Sequence, residues 1–212
     1  MCFSPGSSLL TFILGTVFSI ILIYFGNPKY KLENMVFGIF FIFISAIQFM
    51  DFLFWIDLKN KIGFNKIMSI IGPLLNVGQP TILYVIKNLF LKPELLSSNY
   101  FNLLILFLNI IYFFILIKNY ITYIIQTKLI TTTKHNHLNW PWLNYFNPYY
   151  YLFLFGINIF YLTKFNYSLF VFLIVYFLLF LSVNYFNKNI EEIWCFFGAF
   201  IPIFILFISY FL

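Results

Sequence analysis

From Met35 to Trp55 the chain reads MVFGIFFIFISAIQFMDFLFW, an apolar run interrupted by one ionisable side chain, Asp51. A helix of about 20 apolar residues crosses the hydrocarbon core of a bilayer. This run is therefore long enough to span, and it is one of several. Similar stretches cover Ser8 to Phe25, Ile67 to Leu91, Tyr100 to Ile117, Tyr149 to Leu162, Ser168 to Tyr185 and Ile193 to Leu212. Hydrocarbon offers no partner to a free backbone N–H or C=O, so only helices and closed barrels cross it. The period-2 alternation of a barrel is absent, which leaves helices. The expectation is an all-α integral membrane protein, a seven-transmembrane-helix bundle forming a single domain over residues 1–212.

Composition excludes the alternatives. The chain is 63% hydrophobic and 8% charged, against about 45–50% and about 25% in soluble domains. The abundance of Phe and Tyr, with Lys supplying every basic residue, follows A/T-rich codons, so a scattered Asn or Tyr carries little weight. The net charge of +6 reads as loop lysines near lipid headgroups. Without a basic stripe or a repeated aromatic platform there is no nucleic-acid partner to infer; the partner is the lipid bilayer. MCFSPGSSLL lacks the basic start of a secretory signal, which points to a retained first helix.

The connections are marked by turn residues and lysines, and most are short. The longest runs from Lys118 to Pro148, where YITYIIQTKLI could prolong the fourth helix or lie along the surface. With seven spans the termini lie on opposite sides. Lys59, Lys61, Lys66, Lys118, Lys128, Lys134 and Lys188 then share the N-terminal side, against Lys29, Lys31, Lys87, Lys92 and Lys164. The excess on the first side predicts a cytoplasmic N-terminus.

Polar chemistry gathers on that same side. Gln48, Asp51 and Trp55 fall within an arc of about 60° on one helix face, because successive residues are about 100° apart. A lipid-facing Asp at mid-membrane costs about 2.5–3.5 kcal/mol, so this stripe should face the bundle or lie near the interface. In GPLLNVGQP, Gly72, Asn76 and Gln79 share a face, while Pro73 and Pro80 each remove a backbone donor and predict a kinked or locally unwound helix. The last span opens EEIWCFFGAFIP, with Glu191, Cys195, Gly198 and Pro202 on one stripe and Glu192 and Trp194 beside it. Glutamates at a helix start also suit the helix dipole.

Trp55, Trp140, Trp142, Trp194, His135, His137 and Cys2 join this side. An interfacial aromatic belt accounts for the tryptophans alone. Thiolate, imidazole and carboxylate are all metal ligands, yet His135-x-His137 lacks diagnostic spacing, and no metal site is assigned. A Cys2 to Cys195 disulfide would need an extracytoplasmic N-terminal side. NPYYY at residues 147–151 precedes a helix instead of closing one, and no nucleophile-elbow, zinc-protease or phosphate-loop motif occurs.

MCFS at the N-terminus, Gln48-x-x-Asp51-x-x-x-Trp55 and Trp194-Cys195-Phe196-Phe197 together resemble an uncharacterised family of small multi-pass membrane proteins. In similar chains a Glu commonly stands where this one has Asp51, which keeps the acid and shortens its reach. The resemblance implies a membrane fold and candidate positions but no activity. Three functions follow as expectations. The first is a non-enzymatic protein binding or transporting a small ligand or ion at Gln48, Asp51, Trp55, Asn76, Gln79, Glu192, Trp194 and Cys195. The second is an intramembrane enzyme using Asp51 or Glu192 as base or Cys195 as nucleophile. The third is a structural protein of a viral or organellar membrane. No cofactor and no oligomeric state is assigned by any of them.

Overall fold

The computed structural model describes residues 4–91, 100–134, 137–185 and 196–212. Those residues are almost entirely helical. In chain order the helices are α1 (Pro5–Phe25), α2 (Lys31–Ile56), α3 (Phe64–Val77), α4 (Gln79–Phe90), α5 (Tyr100–Gln126), α6 (Pro148–Phe160), α7 (Phe165–Tyr185) and α8 (Ile201–Ser209). A small antiparallel hairpin, β1 (Thr132–Lys134) with β2 (His137–Asn139), lies between α5 and α6.

Local sequence sets the ends. Ser4 caps α1 by accepting from the Ser7 N–H (3.1 Å), and Pro5 follows at the first helical position, where its missing donor costs nothing. Asn147 and Pro148 repeat this arrangement at α6.

Among the described residues, four helical stretches are long and apolar enough to cross a membrane: Pro5–Phe25, Pro28–Ile56, Tyr100–Gln126 and Phe165–Ser182. The pair α3 and α4 makes a fifth if its halves, bent by 62°, count as one broken span. Two shorter apolar helices, Pro148–Phe160 and Phe196–Ser209, fall where the fifth and seventh spans are expected, the start of the seventh lying outside the described residues. The fourth is longer than expected, since α5 continues through the YITYIIQ segment to Gln126.

The bend between α3 and α4 falls at Gly78, just before Pro80, and Pro73 within α3 removes a further donor. Pro73 has no N–H to give the carbonyl of Ser69, four residues back. The Tyr123 hydroxyl from α5 donates to that carbonyl instead (2.9 Å). The carbonyls of Val77 and Pro80, flanking the break, accept from Tyr112 (2.7 Å) and from the Asn158 amide (2.9 Å). Asn158 also exchanges hydrogen bonds with Asn109 (3.0 and 3.2 Å). Tyrosines and asparagines that composition alone makes unremarkable are thus the groups that keep a broken helix satisfied in an apolar interior.

The core is organised around α2, whose Val36, Phe37, Phe40, Phe41, Ile44, Ile47, Met50 and Phe54 are all buried. At one end of the bundle, Asn27 donates to the Ser209 carbonyl (2.7 Å) and Tyr167 donates to Asn34 (2.9 Å). Lys87 belongs to this end and corrects its assignment as a loop lysine. It lies within α4, wholly buried, and its ammonium donates to the carbonyls of Ile159 (2.7 Å) and Tyr161 (2.8 Å) and to the Thr163 hydroxyl (3.2 Å). The amine thereby satisfies carbonyls at the C-terminus of α6, where cations are favoured.

Candidate ligand site around Asp51

Helix α1 packs antiparallel on α2 through small residues. A side chain at Gly15 would collide with the Ser45 hydroxyl and come within 2.8 Å of the Ala199 Cβ, so glycine is what lets the two helices and the chain before α8 meet. Phe12 lies against Phe49, with ring centroids 5.2 Å apart. This register carries Thr11 to the level of Phe49 and Ser8 to the level of Phe52. Ser8, Thr11 and Gly15 are all on the buried face of α1.

On α2, Gln48 is about 60° round from Ser45, toward the side where Ile44 meets Gly198. Gln48 therefore points into the seam formed by α1, α2 and the start of the last apolar stretch. It is wholly buried, and among the described residues neither its Oε1 nor its Nε2 has a hydrogen-bond partner. Ser8, across the seam, is likewise wholly buried with an unpartnered Oγ.

Asp51 is also fully buried, as its stripe required, and accepts a hydrogen bond from Trp140 Nε1 (3.1 Å). Trp140 and Trp142 are not belt residues. Both are buried, with rings stacked 5.2 Å apart, and Trp142 fills the space opened by Gly72, where a Cβ would come within 2.7 Å of it. Trp55 is only partly buried, but its Nε1 is enclosed and unpartnered, as is that of Trp142. The sequence singled out Asp51 but not its partner, because an 89-residue separation leaves no local pattern.

Asn76 and Gln79 stand on either side of the break between α3 and α4. Gly72, on their face of α3, meets Met50 Sδ, and Met50 lies about 100° from Asp51 around α2. At the break, Gln79 Oε1 accepts a short hydrogen bond from Tyr151, while its Nε2 is unpartnered. Glu192, Trp194 and Cys195 lie outside the described residues, as do Glu191, Cys2 and His135. Among the described residues no group of three or more His, Cys, Asp or Glu side chains could hold a metal.

Just beyond α2, Asp57 organises the turn into α3. Its carboxylate accepts from the N–H groups of Lys61 (2.7 Å), Ile62 (3.1 Å), Gly63 (2.9 Å) and Asn65 (3.4 Å). Desolvation pushes its pKa up, but these donors outweigh it and hold the carboxyl below its ordinary value of 3.8. Asn65 then bridges to Thr131, giving 2.8 Å bonds to both its carbonyl and its N–H, and so anchors the segment leading to the hairpin and Trp140.

Comparison with known proteins finds no matching family model, curated protein or solved structure. The geometry itself combines a buried acid, a tryptophan donor and unpartnered hydrogen-bonding atoms at one end of an apolar bundle. Such a set can bind a small polar species away from water.

Proposed function

We propose that this protein is a seven-span membrane protein, with a cytoplasmic N-terminus, that binds a small ligand or ion in the seam around Gln48 and Asp51. The single observation that carries the reading is Gln48. Each buried polar group left without a hydrogen bond costs about 1–3 kcal/mol, and Gln48 carries two such groups beside a buried carboxylate. A side chain kept at that cost is accounted for by a bound species that completes its hydrogen bonds.

Seven spans are supported by how the ends meet. Asn27 with Ser209, Asn34 with Tyr167 and Lys87 with Tyr161 bring both the α1–α2 and α6–α7 connections and the ends of α4 and α8 to one side. That is the side an alternating path through the short helices would give. The resemblance carried by MCFS, Gln48, Asp51, Trp55 and Trp194-Cys195-Phe196 supports the same candidate positions.

The test is a panel of sodium, potassium, primary amines and amino acids. Each is assayed against purified protein by thermal unfolding and by tryptophan fluorescence, since Trp140 holds Asp51. At least one class should shift both signals in the native protein and neither in folded Asp51→Asn. Identical responses of native protein, Asp51→Asn and Gln48→Leu across the whole panel would overturn the reading.

A further inference from the structure

Independently of the residues around Gln48 and Asp51, α7 and α8 leave a crevice between them. Phe170, Val171 and Ile174 of α7 line one wall and Ile205 and Ile208 of α8 the other, with Tyr167, Ser209 and Leu212 toward one end. It bounds about 170 Å³, part of it open to the surroundings. Its polar side chains are already engaged: Tyr167 donates to Asn34 (2.9 Å), and the Ser209 hydroxyl donates to the Leu206 carbonyl (2.8 Å). The crevice therefore offers carbon surface, which a hydrocarbon chain can pack against. Most of α7 is apolar and long enough to span a bilayer, so such chains are what surround it there.

The end at Tyr167 and Leu212 is positively charged. Lys29 Nζ donates to the Leu212 carbonyl (2.8 Å), and Lys164 Nζ donates to the Lys29 carbonyl (2.6 Å). Both ammonium groups lie over the Tyr30 ring, 5.1 and 5.0 Å from its centroid, and so within about 10 Å of each other. The Tyr30 ring packs on that of Tyr167, with centroids 5.0 Å apart, which sets both lysines at the mouth of the crevice. An ammonium has three donors, and each of these uses one on a carbonyl. Among the described residues, Lys29, Lys31, Lys87 and Lys164 stand at this end against one acid, Glu33, whose buried carboxylate is 4.0 Å from Lys164. Lys92 and Glu94, in the connection after α4, cancel in formal charge.

We propose that the α7–α8 crevice seats an acyl chain of an anionic phospholipid, whose phosphate is held by Lys29 and Lys164. The acyl chain alone gives no selection, because lipid tails are as well accommodated in the bulk bilayer as against apolar side chains. Charge supplies the selection. A choline headgroup brings its own cation toward two ammonium groups, whereas a glycerol headgroup brings only hydroxyls, so the net-negative lipid is preferred. The bound lipid ties together the α1–α2 connection, the start of α7 and the end of α8.

The test uses full-length protein in mild detergent, followed by native mass spectrometry and thermal unfolding. Phosphatidylglycerol, phosphatidylcholine, diacylglycerol and inorganic phosphate are added separately. Phosphatidylglycerol should give a discrete adduct of one lipid per chain and raise the unfolding temperature saturably, with phosphatidylcholine weaker by about twentyfold. Lys29→Gln and Lys164→Gln, both at exposed positions, should each lower that preference about fivefold. Lys31→Gln, another exposed lysine at the start of α2, controls for bulk charge and should leave it unchanged. Ile208→Trp should fill the crevice and remove the adduct, and the lysine variants keep the test independent of how well that change is tolerated. Equal binding of phosphatidylcholine, an equal loss in Lys31→Gln, or stabilisation by diacylglycerol or inorganic phosphate matching that by phosphatidylglycerol overturns the assignment. None of these variants alters Gln48 or Asp51, so failure here is separate from failure of the ligand site proposed there.

Discussion

Gln48 and Asp57 show how differently two polar side chains near one helix end can be used. Gln48 holds both amide groups out of water unpaired, so replacing it with an apolar side chain of similar size removes an unmet demand instead of a contact. Gln48→Leu should therefore stabilise the ligand-free protein by about 1 kcal/mol while abolishing its response to the bound species, read by thermal unfolding with and without each member of the ligand panel. A loss of stability in the absence of any ligand would contradict the binding role. Asp57 is fully engaged by backbone donors, and its folded pKa is depressed. Its contribution is thus complete above the ordinary carboxylate pKa and lost as pH falls through the lower, folded value. Asp57→Asn should flatten the acid dependence of unfolding below about pH 4, an outcome measurable against native protein across that range. Neither role could be read from residue type. Asp51 stood out because a charge in an apolar run needs a reason, whereas Ser8 and Trp140 gave no signal, their partners lying far away in sequence.

At the scale of the element, the broken helix is the clearest case of sequence and tertiary structure dividing the work. Pro73 and Pro80 predict that this segment is kinked or locally unwound, and the observed 62° bend agrees. Which groups replace the missing donors depends on what α5 and α6 bring. Tyr123→Phe should cost about 1–3 kcal/mol by leaving the Ser69 carbonyl bare. Pro73→Ala, which restores an N–H to that carbonyl, should make the same Tyr123→Phe change nearly silent. A double-mutant cycle followed by thermal unfolding tests this coupling, and additive effects would refute it. The same division explains Lys87. Its neighbours in sequence suggest a loop near headgroups, but the C-terminal carbonyls of α6 draw its ammonium inside.

For the whole molecule, the register of α1 on α2 decides whether the seam exists. Gly15→Leu should push the helices apart, since Ser45 and Ala199 already touch that face. It should abolish the stabilisation by whichever panel member binds, even though no lining side chain is altered, whereas Gly6→Ala, in open space, should leave it intact. The path of the chain is testable independently. In a background with Cys2 and Cys195 replaced by Ser, single cysteines at Lys29 and Lys164 should be labelled from one side of a sealed vesicle, and cysteines at Lys59 and Asn139 from the other. Labelling of all four from one side would rule out seven spans.

Sequence alone determined that the chain is a bundle of apolar helices, that one of them breaks at its prolines, and that Asp51 turns inward. Each follows from a local demand: backbone groups in hydrocarbon must pair within their own segment, proline lacks a donor, and a charge avoids lipid. Only the tertiary structure decided that Trp140 holds Asp51, that Tyr123 repairs Pro73, and that Gly15 brings α1 against Ser45. These pairings join residues tens of positions apart in sequence. They are selected by how close helices can approach, a property of Gly15 and Gly72 in contact with their neighbours that no single segment contains.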